Sequence, residues 1–518
     1  MNDTSNNKRI AKNTIVLYIR MLFLMAVNLY ASRVVLDALG VEDYGIYNVV
    51  GGVVAMFTMI SGSLAAAISR FITYELGKGA KDNLKTVFSS SVIIQLFLSV
   101  VFVIIAETVG LWFLNAKLNI PAERMTAANW VFQFSIITFA INLISVPYNA
   151  AIIAHEEMSA FAYISIFEGV GKLIVAWIIV SAKGDKMIIY AALIALIAVI
   201  VRFVYGYYCK KRFEECQVKF KFEKRYLRQI FSFAGWNMIG AASAVCRDQG
   251  GNIIINLFCG PAVNAARGVA MQVNSAINGF VSNFQMALNP QITKNYAIGD
   301  VDYMLKLVYQ GARFSFYILW LISLPVLVTA NYLLSIWLVE VPEHATVFLQ
   351  LVIIFSLSES LSGPLMTAMY ATGKVRNYQI IVGGLQLLNL PLSYLCLYVG
   401  LAPEFVFVVA ILLSAICMLA RLIMLHPLIN ISPLLFLKRV WLNTIIVATI
   451  SLIPVVLLSI VLKDSFFSFL IIVITCIIIS SLSILYIGCS KDERALLFNK
   501  CHSIILKVVS HDNSSREK

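Results

Sequence analysis

Charged and amide side chains recur inside long apolar runs of this chain, where each ionised group costs about 2.5 to 3.5 kcal/mol to insert into a bilayer. The densest set follows Gly260. Arg267, Asn274, Asn278, Ser282, Gln285 and Asn289 succeed one another at steps of three, four or seven, so they share one helical face. Such a stripe suits a water-filled cavity, with a polar seam between packed helices as the alternative. Upstream, Arg247 and Asp248 are neighbours, and Asn237, Asp248 and Asn252 fall near one face. Adjacent positions on a helix point about 100° apart, so Arg247 and Asp248 are expected either to pair with other helices or to line the cavity. Arg20 sits a turn or two inside the edge of the first run, where it either snorkels to headgroups or lines the cavity. Arg33, near the other edge, is expected to snorkel. Glu359 stands alone among Ser356, Ser358, Ser360 and Ser362 and is a candidate coupling group, since a dry carboxyl can hold a proton or a cation. Glu107 is a weaker case of the same kind. Glu168 and Lys172, four apart, are expected to neutralise each other. The deep cations (Arg20, Arg33, Lys172, Arg247, Arg267) outnumber the deep acids (Glu107, Glu168, Asp248, Glu359). That balance suits an anionic cargo, and the arginine fork matches phosphate oxygens.

The elements that must position these groups are membrane helices. The chain has 518 residues, 60% hydrophobic and 13% charged, against roughly 25% charged in soluble domains. Apolar runs of about 20 residues cross a bilayer, and in lipid the backbone must bond to itself, so such runs become helices. Fourteen stretches are expected, at 14–36, 44–69, 87–114, 125–154, 159–181, 187–208, 229–257, 265–292, 307–336, 345–371, 377–400, 404–425, 435–462 and 466–488. The first six are echoed by the next six. Gly40 answers Gly260 at an offset of 220, Pro121 answers Pro342, and Pro147 answers Pro364 at 217. Asp82-Asn83-Leu84-Lys85 answers the stretch Asp302 to Lys306, and Arg202 answers Arg421. Two matching six-helix halves point to a carrier that rocks around a central cavity.

Lys and Arg in the short loops set the orientation. One side carries Lys8, Arg9, Lys12, Lys78, Lys81, Lys85, the 210–228 linker, Lys374, Arg376, Lys438, Arg439 and the tail from Lys491. The other carries only Lys117, Arg124, Lys183, Lys186 and Lys463, with Glu42, Asp43, Glu340, Glu343 and Glu404. Both termini are therefore expected on the cytoplasmic side. This asymmetry accounts for the formal charge of +13 without nucleic acid, and positive-side anchoring accounts for Arg202 and Arg421. The organisation read from the sequence is an N-terminal lobe at 1–209 and a basic cytoplasmic linker at 210–228. A C-terminal lobe at 229–427, two extra helices at 435–488 and a basic cytoplasmic tail at 489–518 follow. The N-terminal run is too long for a secretory signal. No nucleotide-binding, metalloprotease or nucleophile-elbow motif occurs in a usable loop, so no catalytic residue, no metal and no cofactor is expected. The nine cysteines form no CxxC and read as small core residues.

The N-terminal block carries a family signature. Asn13-Thr14 leads into the first stretch, and Leu39, Gly40, Tyr44, Gly45 and Tyr47 form a Leu-Gly-x-x-x-Tyr-Gly-x-Tyr pattern at its end. The chain resembles, over its whole length, the polysaccharide-biosynthesis flippases of the multidrug/oligosaccharidyl-lipid/polysaccharide (MOP) exporter superfamily. The resemblance implies an all-α membrane protein of fourteen transmembrane helices. Two pseudo-symmetric six-helix lobes would form a V-shaped carrier, with two C-terminal helices added. The implied cargo is an undecaprenyl-pyrophosphate-linked oligosaccharide, moved across a bacterial inner membrane from the cytoplasmic to the periplasmic leaflet by a monomer. Other polysaccharide-assembly proteins are potential partners. The second half departs from the signature: Pro261, Asn264 and Arg267 stand where Val41, Tyr44 and Tyr47 stand in the first. On this reading Arg267, Arg247 and Arg20 attract the pyrophosphate. Asp248, Asn252, Asn274, Asn278, Gln285 and Asn289 line the cavity, and Glu359 is the coupling candidate. A multidrug or cation antiporter of the same superfamily is the alternative, and a membrane polysaccharide polymerase or ligase a more distant one.

Overall fold

The structure is a computed structural model and describes residues 2–55, 58–117, 120–217, 223–338, 341–462, 465–491 and 493–495. Lys219, Lys221, Glu340, Lys463, Cys501 and the tail past 495 lie outside the described residues, as do the side chains of Lys8, Glu42, Lys117 and Pro261. Among the described residues every element is helical.

The helices are α1 Asn2–Ala55, α2 Thr58–Lys78, α3 Lys81–Ile105, α4 Leu111–Lys117, α5 Met125–Ala154, α6 Met158–Ser181 and α7 Lys186–Arg212. They continue with α8 Lys224–Ile298, α9 Val301–Val328, α10 Ala330–Trp337, α11 Ala345–Thr372, α12 Val375–Leu387 and α13 Asn389–Tyr398. The last are α14 Phe405–Ile429, α15 Pro433–Phe436, α16 Leu442–Val461 and α17 Phe466–Ser483. Where they are described, the expected stretches are helical apart from turn or bend residues such as Thr329, Leu388, Val399 and Gly400. By length and apolar composition, eleven helices among the described residues suffice to cross a membrane. The expected spans missing from that set are 44–69 and the two arms of α8, 229–257 and 265–292, which are the runs interrupted by Gly, Ser and Asn. The chain is a multi-pass membrane protein. Many large aliphatic and aromatic side chains face outward, as expected of a surface solvated by lipid.

The repeat is written into the backbone. Gly40 breaks α1 at φ 79, ψ 166, and Gly260 breaks α8 at φ 82, ψ 179. These angles lie in a region open essentially to glycine alone. Gly79 and Gly299, again 220 apart, end α2 and α8 with φ of 69 and 83. Glu156 and Gly373, 217 apart like Pro147 and Pro364, follow α5 and α11 with φ of 61 and 75. Pro147 and Pro364 lie inside those two helices.

By packing, the chain forms two compact units. The first comprises Met1–Asp248, Ser282–Leu307 and Met366–Leu387, and the second Gln249–Val281, Val308–Leu365 and Leu388–Lys518. The first unit thus holds helix ends from both copies of the repeat. Its core runs from Leu17, Ile68 and Phe88 to Ile230, Phe233, Ala287 and Val375.

Candidate functional site

In the second unit, polar groups gather around the break in α8. Gly260 turns the helix, and Arg267 beyond the break reaches back to Asn252 before it, Nη1 donating to Oδ1 at 3.1 Å. Arg267 is 8% exposed. It packs against the side of the helix where Gly251 offers no side chain; a Cβ there would lie 3.5 Å from Nη2. Next to this contact is an open cavity of about 300 Å³ lined by Gln249, Asn252, Ile253, Leu257 and Asn264. The Asn264 Oδ1 is buried with no hydrogen-bond partner among the described residues. Asn264 and Arg267 are the two positions where the second half departs from the tyrosines of the first. In the first half Tyr47 instead packs edge-on against Tyr190, with ring centroids 4.9 Å apart.

Further along α8 the stripe meets α11. Ser356 Oγ donates to Asn274 Oδ1 at 2.8 Å, and Asn278 Nδ2 donates to Ser356 Oγ at 3.0 Å. In the first unit Thr367 Oγ1 donates to Asn289 Oδ1 at 2.8 Å, and Gln285 is half-buried. The amides of the stripe therefore grip α11. The exposed polar and small residues of this arm, Gly268, Gln272 and Ser275, lie on another face that the sequence reading passed over. An amide turned outward at bilayer depth is costly against acyl chains, so this face suits water better than lipid.

Arg247 and Asp248 pair with each other, Nε to Oδ1 at 2.9 Å, although their Cα–Cβ vectors diverge. The long arginine stem spans the difference. Arg20 stacks on Phe161, its Cζ 4.5 Å from the ring centroid. The structure thus joins Arg267 with Asn252, Asn274 with Asn278, and Arg247 with Asp248, and it places Arg20 on an aromatic ring. Asn237 accepts from Tyr370 Oη at 2.8 Å and from Gln379 Nε2 at 3.1 Å, within the first unit.

Glu359 is not alone. Ser414 Oγ donates to its Oε1 at 2.6 Å, and Arg421 Nη1 stands 3.9 Å from the same oxygen. Arg421 is 1% exposed and donates to Ser362 Oγ at 2.9 Å. Surface anchoring does not describe this arginine; its charge is balanced inside the second unit. Its repeat mate Arg202 lies over the Tyr148 ring at 3.8 Å instead. Glu107 accepts from Gln133 Nε2 at 3.0 Å, and Glu168 pairs with Lys172 at 2.7 Å. Five of the eight described cysteines are buried, and no cluster of metal-ligating side chains occurs among the described residues.

One polar cluster had no signal in the sequence. At the lysine- and arginine-rich end of the first unit, the Glu156 side chain is 1% exposed and meets Lys294 Nζ at 2.6 Å and Arg9 Nη2 at 3.2 Å. Gln291 Nε2 also donates to it, and Asn13 Nδ2 donates to its main-chain carbonyl at 3.2 Å. Arg70 of α2 donates from Nε to the Tyr370 carbonyl at 3.1 Å and from Nη2 to the Ala371 carbonyl at 2.9 Å, capping the end of α11. The two ties are repeat mates: the end of α8 holds the turn after α5, and the end of α2 holds the turn after α11.

Comparisons with known proteins agree with this architecture. Residues 10–296, more than half of the chain, match the family described as polysaccharide biosynthesis protein. EpsK, an uncharacterized membrane protein of Bacillus subtilis (strain 168), is 19% identical over 322 residues, which cover 61% of this chain and 63% of that protein. The chain therefore spans just under two thirds of that relative's length. Among solved structures, an outward-facing multidrug resistance MATE family transporter of the MOP superfamily superposes with a TM-score of 0.72 at 13% identity, covering 82% of this chain and 96% of that one. A MOP superfamily transporter from Pyrococcus furiosus, described as having a binding pocket of reversed polarity, gives a TM-score of 0.67 at 13% identity, covering 81% and 96%. At these identities the likeness is one of fold, that of MOP superfamily transporters. The family match reaches further, and on it the chain belongs to the polysaccharide biosynthesis protein family.

Proposed function

We propose that this protein is a flippase that carries an undecaprenyl-pyrophosphate-linked oligosaccharide repeat unit from the cytoplasmic to the periplasmic leaflet of a bacterial inner membrane. The family membership supports the polysaccharide context, and the transporter fold supports movement rather than bond chemistry. The observation that carries the reading is the cluster at the Gly260 break. Gln249, Asn252 and Asn264, the last with an unpartnered amide oxygen, line a small open cavity, and the buried Arg267 bonds Asn252 beside it. A guanidinium matches pyrophosphate oxygens, and amides match sugar hydroxyls.

In this reading Arg267, Arg247 and Arg20 attract the diphosphate while the prenyl tail stays in lipid. The lobes 1–209 and 229–427 rock about the cargo, the linker 210–228 joins them, and 435–488 is an appendage. Loading from the cytoplasm requires the ties at Glu156 and Arg70 to part. Glu359, balanced by Arg421, is a candidate for coupling the step to a proton or a cation.

The test is complementation of a deletion strain. Arg267→Ala and Arg247→Ala should abolish surface polysaccharide at unchanged protein level, and full activity in both removes the site assignment. The multidrug reading is kept by the likeness to a multidrug resistance transporter. It predicts instead a drug-sensitive deletion strain with normal polysaccharide.

A further inference from the structure

The basic end of the first unit contains a second cavity, of about 670 Å³, far from the break in α8 along the chain. Six cations line it, Arg70, Lys78, Arg225, Arg228, Lys374 and Arg376, against one carboxylate, Glu75. Glu75 is 7% exposed and accepts from Asn83 Nδ2 at 3.4 Å. Three of the cations are held over aromatic rings. Arg70 lies 4.7 Å from the Tyr74 centroid, Lys78 4.5 Å from the same ring, and Arg376 5.3 Å from Trp236. Ring faces orient these charges without neutralising them. Arg225, Arg228 and Lys374 are exposed at the rim. The volume falls within the range of ligand pockets, about 300 to 1,000 Å³.

We propose that this cavity binds a phosphate group, and that binding holds the basic end closed. Charge selects an anion, and the arginine forks select oxyanions with several acceptor oxygens. The second part follows from where the cations come from. Arg70 and Lys78 belong to α2 in the first copy of the repeat, while Arg228, Lys374 and Arg376 belong to α8, the α11–α12 turn and α12 in the second. The cavity therefore exists only while Arg70 caps α11, so a ligand that needs both sides favours that arrangement by its differential affinity. The same chemistry is offered by an anionic lipid headgroup, as expected of basic pockets beside membrane helices, and by a soluble phosphate compound.

The full chain is reconstituted in nanodiscs, and two arms separate the sources. In one, phosphatidylglycerol replaces phosphatidylcholine in the disc; in the other, inorganic pyrophosphate or ATP is added to phosphatidylcholine discs. The readouts are saturable binding and hydrogen exchange of residues 70–79 and 370–376. One arm or both should show binding with slowed exchange in those two segments. The paired substitution Arg228→Gln/Arg376→Gln, which leaves the Arg70 cap in place, should weaken binding about tenfold or more. Lys210→Gln/Lys211→Gln, basic but outside the cavity, should leave it unchanged. No saturable binding in either arm, or binding indifferent to the paired substitution, overturns the site. Binding without slowed exchange overturns the closing role. None of these readouts depends on the identity of the transported cargo.

Discussion

Lys294 Nζ lies 2.6 Å from Glu156 Oε1 across 138 residues of sequence, one partner in each copy of the repeat. With Arg70 on the carbonyls of Tyr370 and Ala371, it makes the second of two crosswise ties that a duplicated chain can form with itself. A buried carboxylate shared by two cations and one amide is strongly determined in place, because each lost partner leaves a charge that water cannot reach.

Glu156→Gln should therefore destabilise the protein by about 3 kcal/mol, read as a lower unfolding temperature in detergent. Lys294→Met should cost less, since Arg9 still faces the carboxylate. The double variant should be less destabilised than the sum, with a coupling of at least about 0.5 kcal/mol. Strict additivity would mean that the contact carries no energy.

Gly40→Ala and Gly260→Ala isolate the backbone. Neither position has a described heavy atom within 4 Å of where a Cβ would sit, so any cost is conformational. With φ near +80° at both, each should lose about 1 to 3 kcal/mol, by similar amounts. Two neutral substitutions in a thermal melt would contradict the kinks as described.

Removing one member of the Glu359–Arg421 pair should act asymmetrically. Glu359→Gln keeps a Ser414 bond but leaves the charge of Arg421, 1% exposed, without its counter-charge, and should cost about 3 to 5 kcal/mol. Arg421→Met leaves a carboxylate that is 26% exposed and still bonded to Ser414, and should cost less, about 1 to 3 kcal/mol. Adding Arg421→Met to Glu359→Gln should recover part of the larger loss in the same melt; no recovery would mean that the two charges do not balance each other.

The linker side of α7 offers a pH test. Burial alone would raise the Glu215 carboxyl, but its hydrogen bond to His155, a backbone hydrogen bond and the charges of His155 and Lys85 together outweigh that and hold it below the usual carboxylate value. A carboxyl depressed in the folded state adds stability above its unfolded value and loses it as pH falls through the folded one. Acidification below the ordinary carboxylate range should speed hydrogen exchange around residues 209–217, and Glu215→Gln should remove that pH dependence. Identical profiles for the two proteins would count against the pair.

The helical runs, the internal duplication and the Glu168–Lys172 pair were legible in the sequence. Each depends on short-range periodicity or on a constant offset, which a string of letters preserves. Gly40 and Gly260 stood out by offset alone, and the structure gives them matching backbone angles. The partners of the intramembrane charges were not legible. Arg421 faces Glu359, Asn274 and Asn278 share Ser356, and Glu156 gathers Arg9, Lys294 and Gln291. Which side chain meets which across more than a hundred residues, or across two helices, is decided by how helices rotate and cross, and hydropathy leaves that rotation undetermined. The sequence set where the chain is helical, where it must break and which end is basic. Only tertiary packing decided that the amide stripe of α8 would grip α11, and that the two copies of the repeat would tie their basic ends crosswise, because unpaired polar groups buried in a membrane protein take whatever partner packing brings within reach.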